Sequence, residues 1–148
     1  MNQKLDEILF NFSIIQWHDS KILSIQFLPI QNSMACKITM DLHLPHKFDI
    51  GEVKTNHCRV IYDDCSYWGC SLDLFYLMWS RMSIDKAKFY KTLSEIDDKY
   101  LIQKMDKYFE LDKKYEDEMW FLISLMSPGG EIIISARNLE IKGLTEVS

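Results

Sequence analysis

The chain has 148 residues, 17 Lys and Arg against 22 Asp and Glu for a formal charge of −5, and a hydrophobic share of 47%. That length suits one domain over residues 1–148, while 26% charged residues with only 5 Gly and 3 Pro exclude a collagen-like, low-complexity or disordered chain. A folded chain of this size withdraws about 68–70% of its extended surface from water, enough for one complete core.

Leu5, Ile8, Leu9 and Phe12 repeat at helical spacing and predict a short N-terminal amphipathic helix. From Lys21 the period changes to two, with Leu23, Ile25 and Phe27 on one face and Ile22, Ser24 and Gln26 on the other, until Pro29 and Gln31-Asn32-Ser33 turn the chain. Cys36, Ile38, Met40, Leu42 and Leu44 alternate with Lys37, Thr39, Asp41 and His43, as in a strand with one wet face. Pro45 is expected to end it, and Lys47 to Gly51 reads as a connection before alternation resumes at Cys58, Val60 and Tyr62. A further strand is expected through Trp68, Cys70, Leu72 and Leu74, with Phe75 to Met82 readable as its continuation or as the start of a helix.

Ile84, Ala87, Tyr90 and Leu93, then Leu101, Met105, Tyr108 and Phe109, predict two successive helices, a helical insert over about 75–115. Its other positions, Lys99, Gln103, Asp106, Lys107 and Glu110, mix both signs as a solvated helix face does. Met119 to Met126 is continuously apolar, Ser127-Pro128-Gly129-Gly130 signals a hairpin, and Glu131 to Arg137 alternates around Ile132, Ile134 and Ala136. Leu139 and Ile141 add a last short strand. The strands lie close in sequence without the crossovers that parallel pairing needs. The expected fold is therefore α+β: a mainly antiparallel sheet with an N-terminal helix and a helical insert between the central and C-terminal strands.

Acids at Asp6 and Glu7 do not fit a secretory leader, and no apolar run is long enough to span a bilayer. A cytoplasmic protein with four reduced cysteines is the expectation.

Three segments, Trp17-His18-Asp19-Ser20, Cys58-Arg59-Val60-Ile61-Tyr62-Asp63-Asp64-Cys65 and Pro128-Gly129-Gly130-Glu131-Ile132-Ile133-Ile134-Ser135-Ala136-Arg137, resemble small bacterial immunity proteins of polymorphic-toxin systems. The likeness covers the β-rich ends of the chain and leaves about 74–115 unmatched. It implies a single cytosolic domain, monomer or homodimer, that binds a cognate toxin and blocks its active site. It implies no turnover and no cofactor.

Many secreted toxins are basic nucleases, which an acidic inhibitor reaches faster by electrostatic steering. Candidate acidic contacts are Asp63 and Asp64, then Glu95, Asp97 and Asp98, then Asp112, Glu116, Asp117 and Glu118. Tyr67, Trp68, Trp79 and Arg81 are candidate anchors, since interface centres favour Trp, Tyr and Arg. The bland reading of the acids is solubility and turn capping, and that of the aromatics is core packing. A structural or adaptor domain that self-associates through an apolar sheet edge or the helical insert is the alternative role.

Two enzymatic readings rank below these. The adjacent His18, Asp19 and Ser20 lack any nucleophile elbow, and neighbours along an extended segment point to opposite faces. The structural reading has Trp17 packing under the sheet while Asp19 accepts backbone N–H bonds at the strand entrance and His18 closes the local network. His43, His46, Cys58, Cys65 and Cys70 supply ligand types for zinc and a metal-dependent hydrolase, but the C-x2-C knuckle is missing and Cys36, Cys58 and Cys70 fall on apolar-face positions. Lys and Arg are scattered among acids, so no nucleic-acid stripe forms.

Overall fold

The period-two stretches of the sequence form the body of the protein. A computed structural model describes residues 2–31, 36–72, 82–92, 95–96, 119–126 and 130–145. Helix α1 (Asn2–Ile14) leads into six strands among the described residues: β1 (Lys21–Pro29), β2 (Cys36–Ile50), β3 (Val53–Leu72), β4 (Ile84–Tyr90), β5 (Met119–Leu125) and β6 (Gly130–Leu144). They make one sheet in the order β1-β2-β3-β6-β5-β4, and every neighbouring pair is antiparallel. No helix among the described residues is long and apolar enough to cross a membrane.

The centre of the sheet is a long ribbon in which β3 pairs with β6 from His57↔Leu144 to Leu72↔Gly130. Beside it, β2 and β1 flank the N-terminal part of β3, while β5 and β4 flank the N-terminal part of β6. A straight 20-residue strand would run roughly 66 Å, far beyond a chain whose expected radius of gyration is about 15 Å. The ribbon therefore has to bend. Pairing slips between Cys36 and Ile38 against β3 and between Cys65 and Tyr67 against β6, so a bulge at 63–66 supplies the kink and added twist.

The core fills one face. Ile38, Met40, Leu42, Leu44, Cys58, Val60, Tyr62, Phe121, Ile123, Ile132 and Ile134 are wholly buried there. Helix α1 adds Ile8 and Phe12, followed by Ile15 and Trp17. Phe12 stacks near Trp17 at 4.8 Å and near Phe121 at 5.9 Å, which anchors the helix against the sheet. A smaller cluster of Tyr90, Ile96, Trp120, Leu122 and Ile133 covers the opposite face at the β4–β5 end. Strand β5 is thus buried on both sides, the physical reason Met119 to Met126 lacks polar alternation.

Several expectations are corrected. The first predicted helix of the insert is strand β4: Ile84, Ala87 and Tyr90 are spaced as on a helix, but an irregularity between Ile84 and Lys86 resets the phase of the strand, so Ile84 and Ala87 face the main core and Tyr90 the opposite cluster, and pairing with β5 decides for the strand. The rest of the proposed insert, at 75–81, 93–94 and 97–115, lies outside the described residues. Pro45 does not end β2. Between His43↔His57 and Phe48↔Thr55, five steps along β2 match two along β3, and that irregularity accommodates a residue with no amide hydrogen. The strand continues to Ile50, and Gly51-Glu52 makes the turn, Gly51 at φ 63° as the first position of a tight hairpin requires. The separate strand expected from Trp68 belongs to β3, and that from Leu139 to β6. The β5–β6 hairpin is borne out by Ser124↔Glu131, although 127–129 lie outside the described residues.

Candidate functional site

Trp17-His18-Asp19-Ser20 folds as a turn, with the Ser20 N–H donated to the Trp17 carbonyl at 3.0 Å and Asp19 at φ 68° in the position where a type II turn needs a left-handed residue. The turn delivers the chain to the far edge of its own sheet. Asp19 N–H donates to Ile84 O at 2.9 Å, Ile84 N–H to Ser20 O at 2.7 Å and Ile22 N–H to Met82 O at 3.1 Å, while Lys21 and Ser83 form an antiparallel bridge. Edge strands β1 and β4 therefore meet at their starts, and the sheet closes on itself there.

Side chains reinforce this seam. The Trp17 indole donates to Phe12 O at 2.9 Å, and the Ser20 hydroxyl, wholly buried, donates to Gln16 O at 2.5 Å. His18 Nδ1 lies 2.7 Å from the Asp85 carbonyl, an acceptor only, so the proton sits on Nδ1. Its Nε2 lies 3.6 Å from the Asp19 carboxylate, and Nδ1 lies 3.6 Å from that of Asp85. The hydrogen bond to Asp85 O, then the Asp19 and Asp85 carboxylates, raise the His18 pKa. The expected core position of Trp17 and the local network around His18 are both present, but Asp19 enters it through its own N–H, donated to Ile84 O, and through its carboxylate beside His18.

Asp63 and Asp64 occupy the β3 bulge. Asp64 stands at φ 53°, a conformation Asp tolerates better than most side chains, and its N–H donates to Asp63 Oδ1 at 3.0 Å. Arg137 Nη1 approaches Asp64 Oδ2 to 3.6 Å, which joins the second and third resemblance segments across the ribbon. Tyr67 and Trp68 point to opposite faces. The Tyr67 ring lies 5.6 Å from Trp120 and over Gly69, where a Cβ would come within 2.8 Å of its hydroxyl. Trp68 meets Phe27 edge-on at 4.9 Å on the core side. One flat contact surface therefore cannot use both aromatics. Glu95 is exposed, its carboxylate accepting the Lys91 N–H at 3.1 Å. Trp79, Arg81, Asp97, Asp98, Asp112, Glu116, Asp117 and Glu118 lie outside the described residues.

The zinc-ligand types are dispersed. Cys58 and Cys65 face the core, and burial pushes each thiol up to about 12. Cys65 Sγ donates to Tyr62 O at 3.1 Å, and Cys70 is exposed, contrary to its expected apolar-face burial. The His43 and His57 rings meet at a tilt across β2 and β3, 4.9 Å apart, with Asn56 Nδ2 3.2 Å from His43 Nε2. Beside them Arg59 grips Asp41 through two hydrogen bonds of 2.7 and 3.0 Å. Those bonds, with the Arg59 charge and a bond from Ser24, hold Asp41 below the usual carboxylate range against an opposing push from burial. No three His, Cys, Asp or Glu among the described residues are grouped to hold a metal ion.

An apolar sheet edge, expected without residues, is located by the structure. Leu23, Phe27 and Leu28 on edge strand β1 are 58%, 50% and 48% exposed, and Phe10 on α1 is 64% exposed. The signal lies in the run from Ile22 to Cys36, which carries no charge. No family model, curated protein or solved structure matches the chain.

Proposed function

We propose that this chain is a cytoplasmic immunity protein, which binds a cognate bacterial toxin, occludes its active site and performs no turnover of its own. The observation that supports binding over hydrolysis is the use made of the Trp17–Ser20 segment. Its Ser20 hydroxyl is buried and bonded to a main-chain carbonyl, and its His18 Nδ1–H is bonded to another across the seam. A nucleophile needs its hydroxyl free to reach both substrate and base. Here the Ser20 hydroxyl closes the turn onto Gln16 and the His18 ring ties the two sheet edges, which supports a role exercised through shape, charge and apolar contact.

The toxin itself is proposed from the three resemblance segments and from the charge of −5, which would steer the protein toward a basic cleft such as that of a nuclease. Among the described candidates, the partly exposed carboxylates at the bulge, Asp63 and Asp64, are the contacts proposed for it. Deleting the gene alone should poison the cell, whereas deleting it together with a neighbouring toxin gene should be harmless. With purified proteins the association rate should fall steeply as salt rises. A viable single deletion beside an active toxin overturns the reading.

A further inference from the structure

The two edges of the sheet are built differently. Strand β4 carries exposed Asp85, Lys86 and Lys88, the charges with which proteins guard an open edge. Strand β1 has no charge after Lys21, and it exposes Leu23, Phe27 and Leu28. Past Ile22, which is tied to Met82, no strand among the described residues pairs with its outer side. A solvated edge of this kind offers a row of main-chain donors and acceptors flanked by apolar side chains.

We propose that β1 pairs antiparallel with β1 of a second copy of this chain, about a two-fold axis through Ile25. The choice of occupant follows from the edge's match to itself. Centred on Ile25, the register sets Ile25 against the partner's Ile25 and Ser24 against the partner's Gln26, twice by symmetry. The bulge at Leu23 then lies beside the partner's Phe27, and the ladder stops short of Ile22, whose outer side Met82 already occupies. Polar meets polar, apolar meets apolar, and no charge is placed in the contact. Centring on Ser24 would set Lys21 against the partner's Phe27, and centring on Gln26 would set Ser24 against the partner's Leu28 and bring Pro29 into the ladder. An isologous pairing of this kind closes on itself and does not propagate. It stands independently of the toxin reading.

Ser24 and Gln26 are exposed, so both accept charge without disturbing the core. The wild-type chain should sediment at twice 17.6 kDa. S24K/Q26K places like charges opposite one another at two pairs and should sediment as a monomer. S24K/Q26E places opposite charges there and should remain a dimer, with a Kd at least about fivefold below that of the double-lysine chain. Wild-type amides from 23 to 28 should exchange more slowly as concentration rises, while those of β4 should not change. A monomer at 100 µM, equal dimerisation of the two variants, or amide protection outside β1 overturns the inference, and the exchange measurement decides even if a variant fails to fold.

Discussion

Replacing Tyr62 by phenylalanine should make the protein more stable, although the side chain is wholly buried in the centre of the core. Its ring packs against Phe121 at 5.1 Å and 68°, a contact phenylalanine keeps. Its hydroxyl has no hydrogen-bond partner among the described residues, and the surrounding burial drives its pKa far above the ordinary value. Leaving such a group unbonded costs about 1–3 kcal/mol relative to water. Deleting it should therefore return about 1–2 kcal/mol, which for a chain near 150 residues raises Tm by roughly 3–6 °C. The contrasting variant is Thr55→Val. The Thr55 hydroxyl is buried too, but it donates to Leu144 O at 2.5 Å and accepts the His57 N–H at 3.0 Å, so its removal should cost about 1–2 kcal/mol. Thermal unfolding by circular dichroism, with urea titrations at equal slope, measures both. A Tm loss of more than about 2 °C for Y62F refutes the reasoning, since it means that the hydroxyl is bonded in solution.

Phe121→Ala removes a ring that contacts Phe12, Tyr62 and Phe89, and urea denaturation should show a loss of about 3–5 kcal/mol. In native protein at neutral pH a disulfide reagent should label Cys70 first, because Cys58 and Cys65 are buried thiols held near 12, and all four cysteines should react in denaturant. The folded pKa of Asp41 is depressed, so its pair with Arg59 stabilises above the unfolded value of about 3.9 and is lost as pH falls through the folded one. Arg59→Gln should therefore cost about 0.5–1 kcal/mol at pH 7 and nothing near pH 2 in pH-dependent melting. For His18 the sign reverses: its folded pKa is raised, and the stabilisation is full below about 6.5 and fades as pH climbs through the folded value. An NMR titration should show its pKa falling in Asp19→Asn, which keeps the left-handed turn but removes the charge.

Period-two patterning made β2 and the core face of β3 legible, because Ile38, Met40, Leu42 and Cys58, Val60, Tyr62 each carry a whole face by themselves, whereas on β1 the bulge at Leu23 breaks the expected alternation, so that Ile22 is buried and Leu23 exposed. What misled were the punctuating residues. Pro45 reads as a stop, yet three extra residues opposite β3 absorb it, and no local pattern announces a bulge of that size. Strand β4 was hidden because its identity depends on β5, a hydrophobic strand over 30 residues further along the chain. The seam was partly readable: a structural role for Trp17-His18-Asp19-Ser20 follows from adjacency alone, but its partner, Met82 to Ile84, is fixed only in three dimensions. The exposed edge was readable in full, since the missing charges of β1 are a property of composition.

The position of β6 between β3 and β5 governs how a ribosome can deliver this protein. Translation produces β1, β2 and β3 as a meander and β4 and β5 as a second antiparallel pair, but the inner side of β3 and the facing side of β5 wait until residues 130 to 144 have been made. During that interval the nascent chain carries two apolar strands each open along one side, the kind of intermediate that chaperones attend and that aggregates when they do not.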